Sequence, residues 1–258
     1  MSNFPFQYFD NISLSVIVPV YNEGSNIQGN LKLLQEEVSR YFKDYEIIVV
    51  SDGSTDETNI NVKKLENEHL RLIAFEKNKG KGAAVHRGFT EAKGDFLLFI
   101  DGGMELHPRE IKIFLGLMYL YDADIVIGSK RHPQSNVHYP WYRRILSYLF
   151  QTAVRILFHI RVTDTQVGIK MFRKNVIRAV LPHLQVTSYG FDLEILGFAA
   201  RLGFRNILEA PVRLDYFLKN NKGTFRDMIH TMRIGLALLK DVFKFWLRMR
   251  KLPARNNT

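Results

Sequence analysis

Four short polar stretches hold the side chains that could do chemistry: YNEG at 21–24, SDGSTD at 51–56, KNKGKG at 77–82 and DGGMEL at 101–106. Asp52 and Gly53 directly follow an apolar run. A carboxylate there could accept hydrogen bonds from a base or ribose while the glycine lets the backbone approach closely. Asp52, Ser54 and Asp56 equally suit a turn and a helix N-cap. Lys77 to Gly82 interleaves lysines with glycines ahead of a helical pattern. That arrangement suits a diphosphate, through backbone N–H groups and the helix N-terminus, or an ordinary basic turn; the spacing is neither Rossmann nor Walker A. Asp101 and Glu105 bracket two glycines after another apolar run. Two carboxylates there could hold Mg2+ or Mn2+, which take oxygen ligands and share them with substrate phosphates. A surface turn before a helix beginning at Pro108 is the plainer alternative.

The pattern between these stretches brings them together. Leu14–Val20, Glu46–Val50, Leu70–Phe75 and Phe96–Ile100 read as buried strands, with Ile125–Gly128 as a fifth. Helical spacing predicts helices over Ile27–Phe42, Thr55–His69 and Gly82–Ala92. Continuous apolar runs alternating with helices predict a parallel α/β sheet covered on both faces. Ligands of such sheets bind beyond the carboxyl ends of the strands, where all four polar stretches fall. The second half is less regular. Tyr139–Arg161 is aromatic, apolar and basic. Phe225–Arg250 carries one apolar stripe through Phe225, Met232, Leu236, Leu239, Val242/Phe243 and Trp246, flanked by Arg226, Arg233 and Lys240. Each could lie in a headgroup plane or pack on its own core; membrane contact is expected for at least one.

Composition narrows the classes. The 258 residues include no cysteine, which excludes disulfides and cysteine-ligated zinc. The net charge is +10, and residues 219–258 hold ten bases against two acids. Such a cluster calls for an anionic partner: nucleic acid, phospholipid or a phosphorylated substrate. The longest apolar stretch, Ile145–Ile160, is broken by Gln151, Arg155 and His159, and no secretory leader is evident. The expectation is a cytoplasmic protein, peripheral at the cytoplasmic face of a membrane, without a transmembrane domain.

In this order, PVYNEG, SDGSTD, NKGKGAA and DGGMEL resemble the nucleotide-sugar half of glycosyltransferase family 2. IGSKRHPQS, TDTQVGIKMFR, SYGFDLEIL and NNKGT resemble its branch of dolichyl- and polyprenyl-phosphate mannose synthases and glucosyltransferases. The likeness runs from about Ser13 to Arg250. It implies a GT-A fold, Rossmann-like, with a catalytic domain over 1–224 and a basic amphipathic helical region over 225–258. The nucleotide-sugar half would span about 13–128 and the acceptor half about 129–224. By the same resemblance Pro19, Tyr21, Glu23 and Asp52 would hold the nucleoside, and Lys79 and Gly80 would line its site. Asp101 would meet the ribose–diphosphate and a metal, with Glu105 as a further metal ligand. Lys130, Arg143 and Ser147 would bind the lipid phosphate, and Lys222 would close over the site. Asp101, Lys130, Arg143 and Lys222 would be the catalytic set. Two departures stand out: Gly103 replaces the second acid of D-x-D, and Ser51 replaces the first of two acids after strand two.

The implied reaction is inverting transfer of mannose from GDP-mannose or glucose from UDP-glucose to dolichyl or polyprenyl phosphate. The acceptor is already an anion, so alignment and leaving-group stabilisation matter more than a strong base. Expected partners are therefore a GDP- or UDP-linked sugar, the lipid phosphate, an anionic membrane surface and a possible membrane subunit, with no nucleic acid. Asp164, Asp192 and Glu194 either organise the acceptor side or serve as caps and ion pairs. Two other readings stay open: a family 2 transferase using a polysaccharide or small soluble acceptor, and a nucleic-acid-binding or adaptor protein using the basic end.

Overall fold

The apolar runs form strands because their side chains, pointing alternately to opposite faces, enter two different cores. From β1 (Leu14–Val20), Val16, Val18 and Val20 join one core and Ile17 the other. From β4 (Phe96–Ile100), Leu98 and Ile100 face the first core, while Leu97 and Phe99 face the second. With β2 (Tyr45–Ser51) and β3 (Leu70–Ala74) they pair in parallel, in the order β3-β2-β1-β4. The computed structural model describes residues 11–137, 162–188, 190–214 and 242–249, with 148, 151, 152, 154, 155, 157, 158 and 160.

Three more strands complete a seven-stranded mixed sheet. β5 (Ile125–Ser129) and β8 (Ile207–Pro211) run parallel to each other, and β7 (Ile169–Arg173) lies antiparallel between β4 and β5. Two short strands, β6 (Asn136–Val137) and β9 (Arg213–Leu214), pair separately. Helices cover both faces. α1 (Ile27–Ser39) and α4 (Ile111–Leu120) bury Leu31, Leu34, Phe114 and Met118 in the first core. α3 (Lys81–Glu91), α5 (Lys174–Val180) and α6 (Phe191–Arg201) bury Phe89, Val176 and Leu196 in the second. Each fully buried aliphatic side chain of this kind contributes roughly 1.5–3 kcal/mol. The mostly parallel α/β sheet expected from the sequence is therefore present.

Several sequence expectations change. The helix expected over Thr55–His69 is only α2 (Thr58–Lys63). Asp56 accepts from the backbone N–H and hydroxyl of Thr58, so the chain before Thr58 forms a side-chain-stabilised turn. α1 stops at Ser39, three residues short of the buried Phe42. β7 was not anticipated. Its Lys170, only 1 % exposed, interrupts the apolar pattern that would have marked a buried strand.

The carboxyl-terminal stripe also shifts. Within the helical residues 242–249, Val242 and Phe245 are buried, whereas Phe243 is 58 % exposed. Phe245 stacks on Phe158 at 4.9 Å and meets Phe198 edge-on at 5.1 Å, so this face packs on the second core. Val154 and Phe158 of the aromatic stretch join that core too, and Gln151 hydrogen-bonds Thr165 at 3.1 Å. Among the described residues no helix is long and apolar enough to cross a membrane.

Candidate functional site

Because β1 to β4 are parallel, their carboxyl ends share one rim, and the four polar stretches leave from it. The chain winds from β1 to β2 and β3 in one direction, and β4 lies on the opposite side of β1. The strand order therefore reverses between β1 and β4, the usual place for a ligand in an open α/β sheet. Tyr21, with 49 % of its surface exposed, and Asp101 directly follow these two strands.

The first two stretches are clasped together. Asn22, in the left-handed region at φ 54°, donates its N–H to Ser54 Oγ at 3.1 Å and accepts from Thr55 N at 2.9 Å. Glu23 N donates to Thr58 Oγ1 at 2.8 Å and Gly24 N to Asp56 Oδ2 at 3.0 Å. The Thr58 hydroxyl holds the Asp56 carboxyl below the usual range. Ser51, where the resemblance expects an acid, is buried and donates to Ser54 Oγ at 2.9 Å. Pro19 is buried in β1, and its carbonyl accepts from Gly102 N at 3.3 Å, tying β1 to the Asp101 stretch.

Asp52 grips the third stretch. Only 4 % exposed, it accepts from Lys79 N at 2.7 Å and Gly80 N at 2.9 Å. Gly82 N donates to Thr187 O at 2.8 Å. The N–H groups of Lys79, Gly80 and Gly82, which the sequence offered to a diphosphate, thus have acceptors inside the protein, and this stretch is a braced wall. Gly80 is required there: its φ is 99°, and a Cβ would lie 2.3 Å from Thr187 O. The Lys79 ammonium lies 4.8 Å from the centre of the Phe75 ring, on the exposed side.

The fourth stretch carries the strongest charges. Lys81, in the first turn of α3, places its ammonium 2.7 Å from Asp101 Oδ1. That oxygen is buried, and the Lys81 ammonium compensates its charge. Asp101 N donates to Gly168 O at 2.9 Å, and a Cβ on Gly168 would come within 2.4 Å of Asp101 Oδ2. Beneath, Lys170 reaches Asp192 Oδ1 at 2.6 Å and also bonds Val167 O. The two ammoniums lie 5.5 and 5.4 Å from the centre of the Phe99 ring. Burial pushes the Asp192 carboxyl up, opposed chiefly by Lys170 and then by Lys81. Sequence reasoning missed both lysines. Lys81 stood in the NKGKG motif, but only the packing of α3 on β1 and β2 aims it at Asp101.

The described residues contain no group of three His, Cys, Asp or Glu arranged for a metal. Asp101, part-exposed and with Oδ1 already paired to Lys81, could offer a carboxylate to a cation that draws its other ligands from substrate phosphates and water. Glu105 lies on the same stretch and is exposed.

On the far side of β7, Lys130 follows β5 at the same rim. Its N–H and ammonium both meet Asp164 Oδ2, at 3.2 and 3.6 Å. Glu194 is fully buried, accepts from Gln185 N and Val186 N, and pairs with Arg248 of the carboxyl-terminal helical residues. Asp164, Asp192 and Glu194 are therefore ion-pair partners. Arg143, Ser147 and Lys222 lie outside the described residues, as do residues 225–241.

A model of glycosyl transferase family 2 matches residues 15–181. A dolichyl-phosphate beta-glucosyltransferase of Dictyostelium discoideum is 34% identical over 222 residues, which are 80% of this chain and 67% of that protein. One of the same name from Drosophila melanogaster is 34% identical over 255 residues, 92% of this chain and 76% of that protein. Among solved structures, glucosyl-3-phosphoglycerate synthase of Mycobacterium tuberculosis, in complex with Mn2+, UDP-glucose and phosphoglyceric acid, superposes with a TM-score of 0.69 at 18% identity. That match covers 99% of this chain and 87% of the other, and shows that the two share an α/β fold of the GT-A kind.

Proposed function

The chain belongs to glycosyltransferase family 2, and from that membership we propose that it moves glucose from UDP-glucose to dolichyl or another polyprenyl phosphate. The observation that carries this reading is the rim itself: Tyr21, Asp52, Gly80 and Asp101 stand on the stretches that follow parallel strands, with Gly80 N bonded to Asp52 and Gly102 N to Pro19 O. Glucose is preferred over mannose, and UDP over GDP, because the relatives are named glucosyltransferases and the solved neighbour holds UDP-glucose.

In this reading Pro19, Tyr21, Glu23 and Asp52 receive the nucleoside, Asp52 chiefly by fixing the Lys79–Gly80 wall. A lipid-phosphate oxygen attacks the anomeric carbon, the bond to the UDP oxygen breaks, and UDP leaves with the electron pair. The configuration inverts. Mg2+ or Mn2+, held by Asp101 with Glu105 close along the chain, would neutralise charge on the diphosphate when bound. Lys130, Arg143 and Ser147 hold the acceptor phosphate, and Lys222 covers the site. Phe243 and Leu247, both exposed, flank exposed Lys244 and would rest on the cytoplasmic face of an anionic membrane.

A hydroxyl acceptor would need a general base. Asp192 and Glu194 are buried against Lys170 and Arg248, which argues against that role. Incubation with labelled UDP-glucose and a short polyprenyl phosphate tests the proposal. Label is expected in the organic phase, and more from UDP-glucose than from GDP-mannose. Label that stays aqueous, attached to a soluble sugar, would contradict it.

A further inference from the structure

Two ion pairs flank the Phe99 ring, and they differ in access. Lys170 and Asp192 are 1 % and 8 % exposed, locked between β7 and α6, whereas Lys81 and Asp101 are 28 % and 37 % exposed at the rim. The inner pair cannot exchange partners without opening the core. The outer pair can, because the Lys81 ammonium rides on a four-carbon stem.

Asp101 Oδ1 is buried and carries the Lys81 ammonium at 2.7 Å, while the side chain as a whole is 37 % exposed. A divalent cation would therefore approach through Oδ2, beside Gly168, and it and the ammonium compete for one negative charge. With Gly103 in place of a second acid, the single charge of Asp101 cannot balance a dication and an ammonium together. We infer that Lys81 is the resident counter-ion of the cation seat: it holds Asp101 Oδ1 until a divalent cation displaces it, then passes its charge to the donor diphosphate. This rests on the sugar-nucleotide reading above and adds an order to it. Cation and nucleotide should enter together, because the diphosphate supplies the negative charge that lets both positive groups stay.

Calorimetric titration of the full chain with MnCl2, without nucleotide, tests the competition. Lys81→Met should bind Mn2+ about tenfold more tightly than the wild type, the effect of removing one nearby unit charge. Lys81→Arg, which keeps the charge, should not. Asp101→Asn should lose Mn2+ binding, and Lys81→Met should add nothing in that background. Thermal melts confirm that each variant folds. With Mn2+ present, UDP should bind Lys81→Met about tenfold more weakly than the wild type, through the lost diphosphate contact. Mn2+ affinity unchanged by Lys81→Met, or a gain that persists beside Asp101→Asn, would overturn the inference. If no form binds UDP under any condition, the donor reading falls with the charge transfer. The Mn2+ titrations would still decide the competition at Asp101.

Discussion

The two sides of the rim are built by different means. On the β1–β4 side, carboxylates are satisfied by neutral donors: Asp52 by the backbone of residues 79–80, and Asp56 by Thr58 and Gly24. On the β7–β5 side, charge meets charge: Lys170 with Asp192, Arg248 with Glu194, Lys130 with Asp164. The first arrangement shapes a site and leaves side chains at its surface for a ligand. The second spends its charges on holding strands, helices and the carboxyl-terminal residues together. Asp101 sits where the two meet, hydrogen-bonded to Gly168 on one side and paired with Lys81 on the other.

Removing one member of a buried pair should do the most damage. Asp192→Ala leaves the Lys170 ammonium buried without its partner and should cost about 3–5 kcal/mol in chemical denaturation. Replacing both, as Lys170→Met with Asp192→Leu, should recover most of that loss. Equal losses in both variants would mean that shape, and not charge, holds this side. At the junction, Gly168→Ala should push Asp101 aside and lower kcat about 100-fold, with a smaller cost in stability of about 1–3 kcal/mol. On the nucleotide side, Asp52→Asn gives up charge-assisted acceptance from the 79–80 backbone. UDP affinity should fall, and stability with it by about 1.5–3 kcal/mol, the value of hydrogen bonds to a charged group.

The smallest expected effect is on acid stability. The Thr58 hydroxyl lowers the Asp56 carboxyl, and the Ser13 backbone N–H, aided by its hydroxyl, lowers Asp95. A carboxyl depressed on folding adds stability above its unfolded value, about pH 4, and loses it as pH falls through the folded value. Asp56→Asn and Asp95→Asn should therefore flatten the acid limb of a denaturation-against-pH profile and leave its slope near neutrality unchanged. Both carboxylates are exposed, so each share should be small.

This contrast also decides what was legible in the sequence. β1, β4 and the four rim stretches announce themselves, because each apolar run ends directly in a cluster of Gly, Asp, Asn or Lys residues; the bonds that tie the stretches together span 27 positions or more and do not. α2 was overdrawn because Asp56 binds Thr58 and turns the chain inside the expected helix. β7 was hidden by its own lysine, whose partner lies 22 residues further along the chain, on α6. Lys81 was in plain view within a quoted motif. Its role depends on the packing of α3, which no local pattern encodes. Phe245 likewise faces inward because Phe158 and Phe198 await it, whereas spacing alone favoured Phe243.

The most direct test asks where a sugar nucleotide sits. Photolabelling with 5-azido-UDP-glucose and peptide mapping should mark peptides containing residues 19–24 or 51–56, with protection by unlabelled UDP-glucose. Protected labelling confined to residues 242–249, or to any segment away from the β1–β4 rim, would contradict the account.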